Sequence, residues 1–490
     1  MTLLHTARGR VVVCVAALAV TAVIGALAGV PAPVADEGSD VVRQVVVNRA
    51  ALGCPALGSA DGSRTVVDAV APALPDGVPE AGGKTTPMQL HRLWQSSHTL
   101  LGTAGKRGRI ATADEKAEPV PVAVRVVGPL AAGVTATTTS SARSGINRGI
   151  ASTPCATPSA EFWFTGASTT GGRRDVLVMT NLDDVNASVD ITYYGQAGEL
   201  DNTSGRGIVI RGRGQTEVYL RTSVPDQREL GMHVVATGGR VTAALRDNAT
   251  TATSATGVDW LPPSAEPGNE IVVPAVAPGA GARVLTVMNP GDLGTTVAVT
   301  VLGRHGKFRP AGLDALEVPA GGVRSVRLDT KLEGDAVAIG VSADQPVVAS
   351  VRIVDERNQD FAAIGSAKPL DGPSYLVLPV HTEPVTLILS APGEGGTANF
   401  EVRSAMGEVV QHRTVKVASG STTAVQLPAA TTATYLTLTP GENTEVVAGV
   451  TLTPPSRKTD LRRVGAWGLS TSQVFRAQTG TRPDIRAALR

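Results

Sequence analysis

Aromatic side chains are scarce: Phe, Tyr and Trp together make 3% of a 490-residue chain, and charged residues make 18%. The usual charged share is about a quarter, so a disordered polyelectrolyte is excluded. Cysteine occurs three times and histidine seven times. The net charge is +1, which supplies no global field for nucleic acid or an acidic substrate. The length corresponds to about three domains at about 150 residues each.

Long apolar runs are also missing, with one exception. Val11 to Val30 carries no charge over twenty residues, and a helix of that length spans about 30 Å, a bilayer's hydrocarbon core. Arg8 and Arg10 precede the run, and Asp36, Glu37 and Asp40 follow it. The positive-inside rule therefore puts residues 1–10 in the cytoplasm and the bulk of the chain outside. Ala26-Leu27-Ala28 is also the small-x-small pattern of a signal-peptidase site. The run reads as a retained single anchor at 11–30, the alternative being secretion after cleavage.

Cys14 lies inside that run, which leaves Cys54 and Cys155 as the one pair in the exported part. An even pair outside the cytoplasm predicts a disulfide. A loop of this size gives about 4.7 kcal/mol in the chain-entropy model.

What the chain has in quantity is alternation. Val176 to Leu200, VLVMTNLDDVNASVDITYYGQAGEL, aligns with Val284 to Phe308, VLTVMNPGDLGTTVAVTVLGRHGKF, and more weakly with the segment from Val385 to Val410. Asn181, Asn289 and Ser390 occupy one position of the repeat, and Gly198, Gly306 and Gly407 another. Each copy continues into a Gly-led alternating stretch and a closing alternating pair. Alternation of Val, Thr and Ile with turn residues between the runs is the pattern of half-buried strands. The fold class is all-β, read as tandem immunoglobulin-like sandwiches of about 100 residues each. The expected order is a β-rich domain at 36–160 with the disulfide, then sandwiches at 161–262, 263–370 and 371–455. The first of these domains is the less regular. After Pro455 the alternation ends, and 456–490, with eight basic residues against Asp460 and Asp484, reads as a flexible tail.

The segment EFWFTGASTTGGRRDVLVMTN, Glu161 to Asn181, supports a resemblance when taken with the order of the other features. An apolar N-terminal span, a Cys-containing β region, this aromatic-Gly-Ser-Thr segment and repeated V-x-V-x-N-P runs resemble an uncharacterised actinobacterial family. Its members are exported, membrane-anchored proteins filed as a domain of unknown function. The resemblance implies an envelope protein, found where such genes lie near glycosyltransferase and sugar-phosphate genes, and it supplies no catalytic residues.

Catalytic chemistry has little to build on. His5, His91, His98, His233, His305, His381 and His412 are scattered and form no HExxH, so a zinc hydrolase is unsupported. The Gly166 to Gly171 loop around Ser168 has the wrong spacing for a nucleophile elbow. GVPEAGGKT, from Gly77, misses the phosphate-loop spacing and reads as a linker. Asp183, Asp184 and Asn186 cluster in one turn without the calcium-loop pattern. Trp94, Trp163, Trp260 and Trp467 read as core or interface residues. No cofactor and no metal is expected. The reading is a non-enzymatic envelope protein, a membrane-anchored scaffold or binding stalk whose partners are the membrane, envelope proteins or cell-wall glycan, with no nucleic acid. The alternative is an enzyme or accessory acting on envelope polysaccharide.

Overall fold

A computed structural model describes residues 42–57, 63–93, 99–115, 120–251, 255–279, 281–328, 332, 334–355, 360–381, 385–452 and 464–479. The span expected at 11–30 and the cytoplasmic 1–10 lie outside the described residues, as do Trp94 and most of 456–490. Among the described residues no helix is long and apolar enough to cross a membrane. The chain divides into Met1–Val45 with Arg476–Arg490, and Val46–Phe475.

Strands dominate because β-branched residues alternate with polar ones over short runs bounded by Gly, Pro, Asn and Asp. After β1 (Val42–Val46), the first group contains β2 (Arg49–Cys54), β3 (Arg64–Val70), β4 (Met88–Arg92), β5 (Leu100–Ala104), β6 (Ile110–Glu115), β7 (Val122–Val127), β8 (Thr135–Ala142) and β9 (Gly149–Pro154). They form two antiparallel sheets, β2-β7-β4-β5 and β6-β3-β8-β9. Val67, Met88, Leu90 and Val124, from both sheets, share one buried core.

The same order then recurs. The second group has β10 (Glu161–Ala167), β11 (Val176–Asn181), β12 (Ala187–Gly195), β13 (Gly198–Leu200), β14 (Ile208–Ile210), β15 (Gly214–Tyr219), β16 (Leu230–Gly238), β17 (Thr242–Thr250) and β18 (Ala255–Leu261). Its sheets are β10-β16-β12-β13 and β15-β11-β17-β18, with β14 also on β12. The third has β19 (Gly268–Val276), β20 (Arg283–Met288), β21 (Thr295–Gly303), β22 (Gly306–Phe308), β23 (Leu316–Val318), β24 (Val323–Arg327), β25 (Val337–Asp355) and β26 (Asp360–Gly365). Here β25 serves both sheets. Its first half pairs with β19 and β21, its second with β20 and β26, and Pro346, which cannot donate to a ladder, lies at the changeover.

The fourth group has β27 (Ser374–Leu378), β28 (Val385–Ser390), β29 (Gly396–Arg403), β30 (Val409–Val417), β31 (Thr422–Leu427), β32 (Thr434–Pro440), β33 (Val447–Leu452) and β34 (Gly465–Gly468). Its sheets are β27-β32-β29-β30 and β31-β28-β33-β34. The first and fourth groups thus place their first, sixth, third and fourth strands in one sheet and their fifth, second, seventh and eighth in the other, and the second and third follow the same order once β13 with β14 and β22 with β23 are each counted as one strand and β25 as two. A last strand, β35 (Phe475–Thr479), pairs with β1.

Two expectations change. Residues 36–160 contain a full copy of the repeat, hidden in the sequence by the Gly/Pro-rich stretch between β3 and β4. The segment expected as a basic tail supplies β34, the eighth strand of the fourth group, with Trp467 buried in that group's core.

The four groups do not extend as a stalk. After its eighth strand the chain returns to its own first strand, through the bridges Gly53↔Ala156, Trp163↔Ser264 and Val272↔Ala367, so each group's entry and exit are adjacent. Apolar seams then join successive groups. Leu57, Val178 and Trp260 pack between the first and second. Trp163, Met288 and Val348 join the second and third, and Val272, Leu302 and Val447 the third and fourth. Gly449 allows one such approach, since a Cβ there would lie 2.5 Å from that of Ala275. The fourth group meets the first through Val377 and Tyr435 against Val70. The ring closes when the Val47 N–H donates to the Val474 carbonyl at 2.9 Å.

Candidate functional site

Two places concentrate polar side chains, and they differ in access. The first is interior, where the eighth strands approach one another. Arg173, in the turn before β11, donates to Asp175 Oδ2 at 2.8 Å and to Asp247 Oδ1 at 2.7 Å. Asp247 on β17 accepts at its other oxygen from Arg352 of the third group at 2.9 Å, and Arg352 stacks on Phe361 at 3.7 Å. Burial alone would raise Asp247, but Arg173 and Arg352 outweigh it and hold this carboxyl below its usual range. Asp175 has only Arg173 as a counter-charge, and burial raises it well above that range.

Next to this cluster, Asp259 on β18 accepts the Ala363 N–H at 3.1 Å and is raised well above its usual range, chiefly by burial. Asp360 at the start of β26 accepts the Val464 N–H at 2.9 Å, and burial pushes it up to about 7. Trp467 Nε1 on β34 donates to the Ser152 carbonyl on β9 at 2.7 Å. These contacts tie β18 to β26, the lead into β34 to β26, and β34 to β9. Their chemistry is structural: each charge meets a protein group and little of the cluster reaches solvent.

The second place is open. A cleft of about 670 Å³ lies over the outer face of β19, β25 and β21, walled by the links that follow β18 and β26 and by Pro392 and Glu445 of the fourth group. Ligand clefts commonly fall in this size range. Glu266 is paired with Lys368 at 2.7 Å. Glu270 accepts from Ser342 Oγ at 2.5 Å. Among the described residues Lys307, Arg309 and Glu445 enter no ion pair. Phe308 on β22 adds an aromatic side chain, and Thr300 a hydroxyl. Balanced charge, hydroxyls and one ring suit a hydroxyl-rich ligand held by hydrogen bonds and ring contact. Among the described residues the carboxyls raised by burial are Asp175, Asp259 and Asp360 of the interior cluster and Asp68 on β3.

The residues singled out by sequence are dispersed. Cys54 and Cys155 are joined, with S–S 2.06 Å, at the two ends of the first group. Ser168 is buried, its N–H donating to Asp175 Oδ2 and its Oγ to the Gln227 carbonyl, so it supports the cluster. The Asp183 N–H donates to Asn181 Oδ1, Asp184 pairs with Arg213, and Asn186 accepts the Gly212 N–H, which makes that turn self-contained. Among the described residues no group of three His, Cys, Asp or Glu could hold a metal. Trp163 is buried and stacked on His233, with ring centroids 3.7 Å apart. The interior cluster went unseen in the sequence. Its signal is charge inside strand runs, as in ALRDNA from Ala244 and SVRIVD from Ser350.

Comparison with known proteins adds little chemistry. No curated protein matches. Among solved structures, the Streptomyces avermitilis alpha-L-rhamnosidase complexed with L-rhamnose matches at 9% identity and TM-score 0.13, over 84% of this chain. The chain spans 57% of that enzyme's length. The BSP domain of a biofilm associated protein matches at 10% identity and TM-score 0.13, over 87% of this chain and 92% of its own. One family model, described as a family of unknown function (DUF5719), matches residues 110–428.

Proposed function

The chain belongs to DUF5719, a family of unknown function, and since membership supplies no activity we propose from its own geometry that it is a non-enzymatic binding protein of the cell envelope. In this reading each two-sheet group is an immunoglobulin-like sandwich, and the ring of four is a rigid body held outside the membrane by the apolar segment at 11–30. The cleft over β19, β21 and β25 is the surface that meets envelope or cell-wall glycan. That cleft carries the reading: it is a large open concavity, its charges balance, and Glu270, Ser342, Thr300 and Phe308 offer the hydrogen bonds and ring contact that a sugar chain uses. The closing of Cys54 on Cys155 supports an oxidising compartment.

Calorimetric titration of the protein with solubilised cell-wall polysaccharide tests the proposal. Binding that weakens about tenfold, about 1.4 kcal/mol, in Glu270→Gln and Phe308→Ala variants is the expected result. Absence of binding, or binding indifferent to both substitutions, overturns it. The second reading, an enzyme acting on envelope polysaccharide, rests on the three carboxylates Glu266, Glu270 and Glu445 in the same cleft. Release of reducing ends that is lost on replacing one of them would favour it.

A further inference from the structure

The free edges of the four sheets that hold β2, β10, β19 and β27, the first strands of their groups, are unequal. The outermost strand β5 of the first group has five residues, and the outer pieces β13, β14, β22 and β23 of the next two have three each. Short edges of this kind discourage pairing with other chains. In the fourth group the edge strand β30 is nine residues long and pairs along one side with β29. On its other side no further strand follows among the described residues. One side chain crosses it, with Gln411 Nε2 donating to the Gln426 carbonyl at 3.5 Å.

The edge has a definite chemistry. Val409 and Val410 are 49% and 52% exposed, and Met406 in the preceding turn is 58% exposed. His412, Arg413 and Lys416 are exposed as well, and β30 contains no carboxylate. Among the described residues these three enter no ion pair. Glu401, directly across from His412, is held by Arg403 at 2.6 Å.

We propose that β30 is a docking edge for an extended acidic segment of a protein partner, which adds as a further strand beside it. Main-chain hydrogen bonds give such an addition its affinity, and alternating side chains its specificity. Acidic residues would meet Arg413 and Lys416, and apolar residues would cover Val409 and Val410. A second copy of this chain is the poorer occupant, because β30 against β30 sets cations against cations, and like charges directly opposite are destabilising. This surface lies on a different group from the main floor of the cleft and does not depend on glycan binding.

The test uses the full chain and a fluorescent nine-residue Val/Glu peptide in which Glu residues stand in adjacent pairs, so that carboxylates lie on both faces of the added strand, read by anisotropy. Three controls accompany it: the same peptide N-methylated at alternate amides, a Val/Lys peptide, and the double variant Arg413→Glu, Lys416→Glu, with its melting curve taken to show that it folds. The expected result is saturable binding of the Val/Glu peptide, weakened about tenfold or more by N-methylation and by the double variant, with none for Val/Lys. Equal binding of the N-methylated peptide would mean plain charge attraction and overturn strand addition. Absence of binding overturns the proposal, and so does self-association in sedimentation that the double variant abolishes, since the occupant would then be a second copy.

Discussion

At the scale of single residues, the interior charges act as a set. Asp247 is shared by Arg173 and Arg352 from two groups, so removing it leaves two buried guanidiniums facing one remaining partner. Loss of one member of a buried pair typically costs about 3–5 kcal/mol, and Asp247→Ala is expected to fall in that range by urea denaturation. Asp360 gives a prediction with a sign. Its folded value of about 7 lies above the ordinary 3.8, so between about pH 4 and pH 7 the unfolded carboxyl has ionised while the folded one keeps its proton. Its contribution to stability is therefore greatest at the acid end of that window, declines as pH rises and is level above about 7. The whole decline is about 4 kcal/mol at about 1.4 kcal/mol per pH unit. Asp360→Asn keeps an acceptor for the Val464 N–H and should flatten this dependence. An unchanged difference in denaturation midpoint between about pH 5 and about pH 8 would contradict it.

Asn181 and Asn289 show what sequence could reveal at this scale. Each donates from its amide to the carbonyl four residues on, Val185 or Leu293, and accepts an N–H two residues on, from Asp183 or Gly291. The same local job leaves the same residue at the same place in the repeat. Asp247 and Arg352 left no such trace, because their pairing joins residues about a hundred positions apart in different groups, and Arg173, the other partner of Asp247, is also far from it in sequence.

At the scale of elements, strand alternation made the all-β class readable, and β12 and β21, aligned by sequence, have the same burial pattern along their length. What escaped were elements whose neighbours define them. Gly465–Gly468 is too short to show an alternation, yet Trp467 is 2% exposed there and donates to Ser152. Trp467→Ala should cost about 3–5 kcal/mol in an equilibrium unfolding measurement, whereas a residue in a flexible tail would give a change near zero. The Cys54–Cys155 link joins the end of β2 to the residue after β9, and so holds the first and eighth strands of one group together. Both thiols should resist alkylation until a reductant is added, and reduction should then lower stability by about 2–5 kcal/mol. Labelling of both in unreduced protein would refute the link.

At the scale of the whole ring from Val46 to Phe475, closure is the property that no single repeat contains. A linear row of sandwiches would have two free ends and one neighbour at each, and its groups could unfold separately. Here the fourth group also packs on the first, with Thr137 Oγ1 donating to the Val377 carbonyl at 2.7 Å, and the chain after β34 sets Val474 in the first group's core. Every group then has two neighbours, and unfolding one exposes two apolar seams at once. Calorimetry should accordingly give one transition whose measured enthalpy equals the van't Hoff value, at a size where separate domains would ordinarily melt apart. Opening the last seam with Val377→Ala and Tyr435→Ala removes the neighbour of both end groups. The single peak should broaden or split. Resolved separate transitions in the unaltered protein would mean that the groups meet without coupling, and the ring would be four domains in contact with one another instead of one cooperative body.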